Sequence, residues 1–191
     1  MTTILALSGS LRAKSFNTML LHAAAALTPA GTSLEIGSIR EIPLYDGDVE
    51  ASSGLPPAVA ALKERIVAAD GLLLASPEYN NGIPGVFKNA IDWLSRPASD
   101  IPRVFGNRPV GLIGATIGRG GTAMAQAAWL PVLRTLGAQL FVGERLQVAS
   151  AGSAFDASGA LTDASVRSLL EKYMAGFARF VERQRASSVE R

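Results

Sequence analysis

Ten consecutive residues near the amino terminus combine the kinds of side chain that bind phosphate groups. They read Ser8-Gly9-Ser10-Leu11-Arg12-Ala13-Lys14-Ser15-Phe16-Asn17. A short apolar segment, residues 4–7, precedes them, and a helical pattern begins at Phe16. The first turn of a helix leaves backbone N–H groups without partners, and the helix dipole places partial positive charge there. Serine hydroxyls and an arginine beside that turn predict an anion site, and hence a phosphorylated ligand.

This loop differs from two familiar phosphate-binding motifs. A dinucleotide-binding strand is followed by G-x-G-x-x-G, and the loop of a nucleotide hydrolase reads G-x-x-x-x-G-K-[ST]. Here Gly9 stands alone, and no Gly-Lys-Ser or Gly-Lys-Thr follows it. On this loop alone, an ordinary turn with Ser15 as the helix cap explains the residues equally well.

Two later loops have equally unusual compositions. Segment 76–85 reads Ser-Pro-Glu-Tyr-Asn-Asn-Gly-Ile-Pro-Gly, and segment 115–121 reads Ala-Thr-Ile-Gly-Arg-Gly-Gly. Each follows a predicted strand, and ligands of open α/β sheets bind beyond the carboxyl ends of the strands. Glycines in such loops let a ligand approach the backbone closely. Three loops of this kind at one edge predict a binding site and argue against a scaffold without a ligand.

Composition excludes several classes of function. The chain of 191 residues has a formal net charge of +2, no cysteine and one histidine, His22. The lack of cysteine excludes disulfides, iron–sulfur clusters and thiol catalysis, and a lone histidine argues against a metal site. No basic cluster indicates nucleic acid, and no apolar run approaches the roughly 18 residues of a membrane span. We therefore expect a cytoplasmic protein with one domain, residues 1–182, and a frayed tail, residues 183–191.

Short apolar runs alternate with helical patterns, which predicts an α/β fold. The predicted strands cover residues 2–7, 33–37, 71–75, 109–114 and 139–142. The predicted helices cover about 16–27 and 59–67, then a segment that begins near Pro84 and stops before Pro97, and then about 122–136 and 166–182. Three of the strands are apolar throughout, which is typical of central parallel strands with helices on both faces. Pro131 falls inside the fourth helix and predicts a kink or break there.

Four motifs together resemble those of the NADPH-dependent FMN reductases, flavodoxin-like enzymes that include bacterial quinone, chromate and azo-dye reductases. The motifs are Gly9-Ser10-Leu11-Arg12 with Ser15 and Asn17, Pro77-Glu78-Tyr79-Asn80, Gly82-Ile83-Pro84-Gly85, and Lys88-Asn89-Ala90-Ile91-Asp92-Trp93. The resemblance covers nearly the whole chain. It implies a flavodoxin-like three-layer sandwich, with a five-stranded parallel sheet in the order 2-1-3-4-5 and helices on both faces. Thr116 departs from the family pattern, because many relatives have serine there.

The resemblance also implies roles for individual residues. The FMN phosphate would be held by Ser10, Arg12, Ser15 and Asn17. The isoalloxazine ring would be lined by Pro77, Glu78, Tyr79 and Asn80, largely through backbone groups, and its other side would be closed by Thr116, Gly118 and Gly121. Arg96 is a candidate for contacting the phosphates of the nicotinamide nucleotide, with Arg119 as the second candidate. For both arginines, a solvated surface position is an equally good interpretation.

The implied activity is that of an FMN-dependent oxidoreductase. Electrons would pass from NADPH or NADH through bound FMN to a small acceptor such as a quinone, free flavin, chromate or an azo compound, in a ping-pong sequence. Family members imply a homodimer or homotetramer. A flavodoxin-like electron carrier is the main alternative, although the chain lacks a T-x-T-G-x-T loop and strong acidity. A flavin-free interaction protein on the same scaffold is the third.

Overall fold

A parallel β-sheet forms the centre of the computed structural model, which describes the backbone of residues 1–189 and the side chains of residues 1–186. The strands are β1 (Thr2–Ser8), β2 (Thr32–Gly37), β3 (Gly71–Ala75), β4 (Pro109–Ala115), β5 (Gln139–Leu140) and β6 (Leu146–Val148). Their order is β2-β1-β3-β4-β5, and β6 also pairs with β4. The predicted order 2-1-3-4-5 is confirmed.

The edge strand beside β4 was predicted as one segment over residues 139–142. In the structure, two short segments, β5 and β6, pair with β4 instead. β5 pairs in parallel with the start of β4, through Pro109 and Val110, and β6 pairs with its end, from Ile113 to Ala115. Residues 141–145 leave the sheet between the two segments. This stretch contains Glu144, whose carboxylate forms a 3.1 Å ion pair with Lys172. A charged pair at the surface favours a bulge over a continued apolar strand.

Helices cover both faces of the sheet, as predicted. They are α1 (Phe16–Ala26), α2 (Gly47–Ser53), α3 (Pro57–Ala68), α4 (Gly85–Leu94), α5 (Ile101–Val104), α6 (Ala123–Thr135), α7 (Ala151–Ala154) and α8 (Ala164–Val189), with a 3-10 turn at Ala98–Asp100. α1 and α8 pack on one face, and α3, α4 and α6 pack on the other. Successive residues of β1 alternate between these layers, with Ile4 and Ala6 on the α1 side and Leu5 and Leu7 on the α3 side. Each helical layer buries its own set of apolar side chains against one face of the sheet. This packing fixes the positions of the strand ends at the edge of the sheet.

Three helices and the 3-10 turn were not predicted, because they are short and carry no periodic apolar pattern. α2, for example, has no buried residue and is capped by Asp46, whose carboxylate accepts a 2.8 Å hydrogen bond from the Asp48 N–H. Of the predicted kink or break at Pro131, the break does not occur, since α6 continues through this residue. Pro131 lies on the exposed side of α6, where a missing N–H is tolerated.

The last helix extends further than the predicted domain end at residue 182. α8 continues to Val189, and residues 190–191 lie outside the described residues. No glycine or proline interrupts residues 183–189. Arg185 also donates a 3.1 Å hydrogen bond to the Met1 carbonyl and lies 3.6 Å from the Asp70 carboxylate. These contacts fasten the helix to the amino-terminal edge of the sheet. Within residues 1–189, no helix combines the length and the apolar character that crossing a bilayer requires.

A buried lysine connects α3 to the segment after α4. The Lys63 ammonium lies 2.6 Å from the Asp100 carboxylate and also donates to the Arg96 carbonyl. Asp100 accepts two further hydrogen bonds from Arg103. A buried ammonium is tolerated only when such partners compensate its lost hydration.

Asp100 should contribute to stability against acid. Hydrogen bonds from Arg103 and Lys63 lower the pKa of its carboxyl group from 3.8 to about 2. A carboxylate with a lowered pKa in the folded state stabilises that state above its ordinary pKa, and the contribution disappears as the pH falls through the folded value. In urea unfolding at pH values between 3.8 and about 2, we expect the free energy of unfolding to fall less steeply in Asp100→Asn than in the wild type. An unchanged slope in Asp100→Asn would contradict this assignment.

Candidate functional site

The first loop ends in a capped helix whose amino terminus faces the sheet edge. Ser15 is the N-cap of α1, and its hydroxyl accepts a 3.3 Å hydrogen bond from the Thr18 N–H. Met19 donates the next bond, to the Ser15 carbonyl at 2.9 Å. The N–H groups of Phe16 and Asn17 precede this first intrahelical bond and are therefore the donors that α1 can offer to an anion.

The preceding turn is shaped by contacts of Ser8 and Ser10. The Ser8 hydroxyl accepts hydrogen bonds from the Ser10 N–H at 3.4 Å and from the Thr18 hydroxyl at 3.0 Å. The Ser10 hydroxyl accepts from the Arg12 N–H at 3.3 Å. This succession of turns leaves the exposed Arg12 side chain at the rim of the loop.

Gly9 brings the loop directly against α4. A Cβ atom added to Gly9 would overlap the ring of Phe87, with the second and third nearest ring atoms at 2.9 Å. Phe87 is fully buried and packs edge-on against Trp129, so its ring has no room to move aside. Glycine is therefore required by this contact between loop and helix.

Two tethers hold the first loop in place, and neither was predicted. The Asn17 amide donates to the Ala115 carbonyl at 2.8 Å and accepts from the Ala115 N–H at 3.0 Å. Asn17 thus joins the start of α1 to the end of β4, and its amide is engaged by the backbone where direct binding of the phosphate was predicted. The Arg40 guanidinium donates to the Leu11 carbonyl at 2.6 Å from the connection after β2. No local sequence pattern indicates a bond between residues this far apart.

The second loop is a tight hairpin that presents Tyr79. The N–H of Tyr79 donates to the Gly82 carbonyl at 3.2 Å, and the reverse bond measures 3.0 Å. Asn80 and Asn81 lie between them with φ values of 51° and 59°. Two positive φ values in succession are typical of a type I′ turn, which asparagine tolerates better than most residues. The Tyr79 side chain is 44% exposed above this rigid turn.

The Glu78 carboxylate connects the second loop to α6. It accepts a 3.0 Å hydrogen bond from the Ala125 N–H, in the first turn of that helix. The N-cap residue, Thr122, instead accepts from the Gln126 side chain at 3.0 Å. Glu78 therefore supplies the capping oxygen of α6 from another part of the chain.

Removing the Glu78 carboxylate should loosen both the second loop and the first turn of α6. We expect Glu78→Ala to lower the free energy of unfolding by about 1 kcal/mol, the usual cost of a lost helix cap. Glu78→Gln retains an acceptor oxygen and should retain most of that stability. Urea unfolding of the two variants measures the difference, and equal losses would show that the capping bond is not responsible.

The third loop is fixed to the segment after β6. The Thr116 N–H donates to the Val148 carbonyl at 3.0 Å, and the Thr116 carbonyl accepts from the Ala151 N–H at 2.9 Å. Two residues later, the Gly118 carbonyl accepts from the Ser150 N–H at 3.1 Å. The backbone between Thr116 and Gly118 is therefore held from both sides.

These three loops surround a pocket of about 200 Å³ at the carboxyl edge of the sheet. It is lined by Ser10, Arg12, Ser15, Phe16, Asn17, Pro77, Glu78, Tyr79, Ala115, Thr116 and Ile117. Eight of these are predicted site residues, whereas Phe16, Ala115 and Ile117 were not predicted. Ile117 had a detectable signal, since an isoleucine between threonine and glycine in a polar loop is unusual. Two larger grooves, of about 370 and 350 Å³, lie elsewhere, so volume alone does not identify this pocket.

The other predicted residues lie outside this lining. Asn80 is on the exposed hairpin turn, and Gly118 is on the exposed part of the third loop. Gly121 is buried with a φ of 63°, and a Cβ there would lie 3.0 Å from the Gln147 carbonyl oxygen. The positive φ and the close approach of the Gln147 backbone both favour glycine at this position. Arg119 is exposed in the third loop.

Arg96 lies near the far end of α4 from the pocket. α4 starts at Gly85, close to the hairpin, and its ten residues advance roughly 15 Å toward the opposite edge of the sheet. There Arg96 lines the groove of about 370 Å³ with Asp92 and Thr135. Its guanidinium donates to the Ser95 hydroxyl at 3.5 Å. Arg96, predicted to contact the phosphates of the nicotinamide nucleotide, thus lines a different groove from the three loops.

The donors of the pocket fit a phosphate monoester. Serine hydroxyls, first-turn N–H groups and a guanidinium belong to the first loop and the start of α1, and the combination of a helix amino terminus with a cation favours an anion there. Pro77, Tyr79 and Ile117, from the second and third loops, line the same pocket. They offer apolar surface beside backbone groups, which is what a flat heterocyclic ring requires.

Comparison with known proteins agrees with this geometry. Residues 2–152 match the family model of the NADPH-dependent FMN reductases. An NAD(P)H-dependent FMN reductase of Pseudomonas aeruginosa is 43% identical over 182 residues, covering 95% of this chain and 96% of that protein. A 2-hydroxy-1,4-benzoquinone reductase of a Burkholderia species is 38% identical over 177 residues, covering 93% and 94%.

A solved structure extends the likeness to three dimensions. The flavoenzyme NAD(P)H:(acceptor) oxidoreductase FerB of Paracoccus denitrificans superposes with a TM-score of 0.86 at 30% identity, over 96% of this chain and 99% of that one. The sequence resemblance is thereby confirmed along nearly the full length. On the match to the family model and on relatives of this identity and coverage, the chain belongs to the NADPH-dependent FMN reductase family.

Proposed function

We propose that this protein is an FMN-dependent oxidoreductase that passes electrons from NADPH or NADH to a small acceptor of the quinone type. The observation that carries the proposal is the pocket at the carboxyl edge, which is lined by the polar residues of the first loop together with the apolar Pro77, Tyr79 and Ile117. Relatives named as FMN and quinone reductases support the same chemistry. FMN, when bound, would supply the redox chemistry of hydride acceptance and electron transfer, and the protein would supply its binding and orientation.

The residues of the first loop would bind and orient the cofactor through its phosphate. The first-turn N–H groups of α1 and the hydroxyls of Ser10 and Ser15 offer neutral donors, while Arg12 offers a charge-assisted one. Asn17 and Arg40 would act indirectly, because their side chains tether the loop. A loop fixed before the ligand arrives loses little freedom on binding, which favours affinity.

The other two loops would hold the ring. Pro77, Glu78 and Tyr79 offer backbone groups on one side, and Thr116 does so on the other. The exposed mouth of the pocket leaves one place for nucleotide and acceptor in turn. For the nucleotide's phosphates, Arg119 is the better placed candidate within one chain, because it belongs to the third loop whereas Arg96 lies beyond the end of α4.

The order of substrates tests this proposal. One open ring face serving two substrates should give a ping-pong pattern, so initial rates against NADPH and menadione should give parallel double-reciprocal lines. Arg119→Ala should chiefly raise the KM for the nucleotide, since it removes a positioning contact present in ground and transition states alike. Arg96→Ala is the matched comparison. Intersecting lines would indicate that both substrates bind together, and a rise in KM only in Arg96→Ala would return the nucleotide contact to that residue.

Assembly into a homodimer or homotetramer remains a prediction from the family resemblance, and a cytoplasmic location remains a prediction from the sequence. Light scattering during size-exclusion chromatography of the FMN-loaded protein measures the first directly. A monomer under the conditions of the kinetic assay would overturn the prediction for the active form.

A further inference from the structure

Ile117 is the most exposed apolar side chain in the pocket lining. Ile117 is 74% exposed, whereas the preceding residue, Thr116, which lines the same pocket, is half-buried. An isoleucine in this position contributes almost none of its hydrophobic free energy to folding, because that free energy comes only from surface removed from water. Its side chain can therefore contribute when a ligand covers it.

The backbone that carries Ile117 is held firmly. Thr116 is bonded on its N–H side to Val148 and on its carbonyl side to Ala151, and the Gly118 carbonyl is bonded to Ser150. The isoleucine thus stands on a fixed base, and a ligand that contacts it meets a formed surface.

Tyr79 supplies a second apolar surface in the same lining. It is 44% exposed and stands on the hairpin that is closed by two bonds with Gly82. Ile117 and Tyr79 are the exposed large apolar side chains in this lining, and neither belongs to the first loop with its polar groups. A flat aromatic molecule can cover such surface, whereas a small hydrophilic ion gains nothing from it.

We propose that Ile117 determines acceptor selectivity, favouring flat, uncharged aromatic acceptors over small hydrophilic oxidants. The inference rests on the proposed function, because it assigns a specificity residue to the same site. Ile117 contacts the acceptor, and FMN is held by the phosphate loop and the backbone of the other loops.

The test compares two acceptors with the FMN-loaded enzyme at saturating NADPH. Ile117→Ala should lower kcat/KM for menadione about tenfold, the usual consequence of losing part of an apolar contact. The kcat/KM of Ile117→Ala for ferricyanide should stay within about twofold of the wild-type value. Ile117→Leu, which retains the apolar surface, should behave as the wild type. Val142→Ala is the matched control, because Val142 is an equally exposed aliphatic residue, at 80%, outside this pocket.

An equilibrium measurement separates this inference from the proposed function. Calorimetric titration with 2-naphthol, a flat aromatic that is not reduced by NADPH, should give a dissociation constant about tenfold higher for FMN-loaded Ile117→Ala than for the wild type. If the wild type oxidises no NAD(P)H, the proposed function fails, and this titration still decides the role of Ile117. Equal losses with both acceptors, an unchanged constant for 2-naphthol, or an equally large loss of FMN affinity would each overturn the inference.

Discussion

Gly9→Ala should destabilise the protein and abolish tight FMN binding, although it adds a single methyl group. The new Cβ overlaps the ring of Phe87, which is buried against Trp129. Overpacking of this kind costs roughly 1–3 kcal/mol, and the strain falls on the loop that carries the phosphate donors. In urea unfolding, we expect the free energy of unfolding to fall by an amount near the upper end of that range. We expect the dissociation constant of FMN to rise by at least about tenfold.

Two controls make the Gly9 prediction specific. Gly152→Ala should be close to neutral, since a Cβ at that position meets no atom within 4 Å. Adding Phe87→Leu to Gly9→Ala should recover part of the stability, because the two positions share one contact. If the stability loss of the double variant equals the sum of the losses in the two single variants, the contact does not explain the requirement for glycine.

Arg12→Ala should produce the largest loss of FMN affinity among substitutions that leave the fold intact. The guanidinium is exposed at the rim of the pocket, so its removal should cost little stability. A charge-assisted hydrogen bond to phosphate is worth about 1.5–3 kcal/mol, which corresponds to roughly a tenfold to hundredfold rise in the FMN dissociation constant. Ser15→Ala should have a smaller effect on affinity.

Riboflavin distinguishes a phosphate contact from a general loosening of the site. Because riboflavin lacks the phosphate, its affinity should be nearly the same in Arg12→Ala and the wild type. Lys14→Ala, at an exposed cation two residues away, is the matched control and should retain FMN binding. Normal FMN affinity in Arg12→Ala combined with loss in Lys14→Ala would assign the phosphate to the other cation.

The sequence predicts the architecture because its signals are local and repeated. Apolar runs such as residues 71–75 mark buried strands, and helical stripes mark the helices that cover them. The edge strand was predicted less well, since β5 and β6 have only two and three residues and a charged bulge separates them. α8 was predicted to end early because its last turns carry no continuous apolar stripe, whereas Arg185 contacts Met1 and Asp70 from a distant part of the chain.

The candidate site shows the same division between local and distant signals. The residues of the first loop were identified by type and spacing, and the pocket contains Ser10, Arg12 and Ser15. The engagement of Asn17 with Ala115 and of Glu78 with Ala125 was beyond sequence reasoning, because each joins residues of different loops. Arg96 follows a family motif closely in sequence, yet α4 carries it away from the pocket, and its contact with the nucleotide stays a prediction.

Anaerobic mixing of the FMN-loaded protein with one equivalent of NADPH tests the central claim most directly. The visible absorbance of the flavin should disappear on mixing and return when menadione is added, because the flavin is first reduced by NADPH and then reoxidised by the quinone. The same experiment with NADH gives the nucleotide preference. Flavin absorbance that persists with both nucleotides would contradict an oxidoreductase and favour an electron carrier, and failure of the protein to retain FMN would favour an interaction protein on this scaffold.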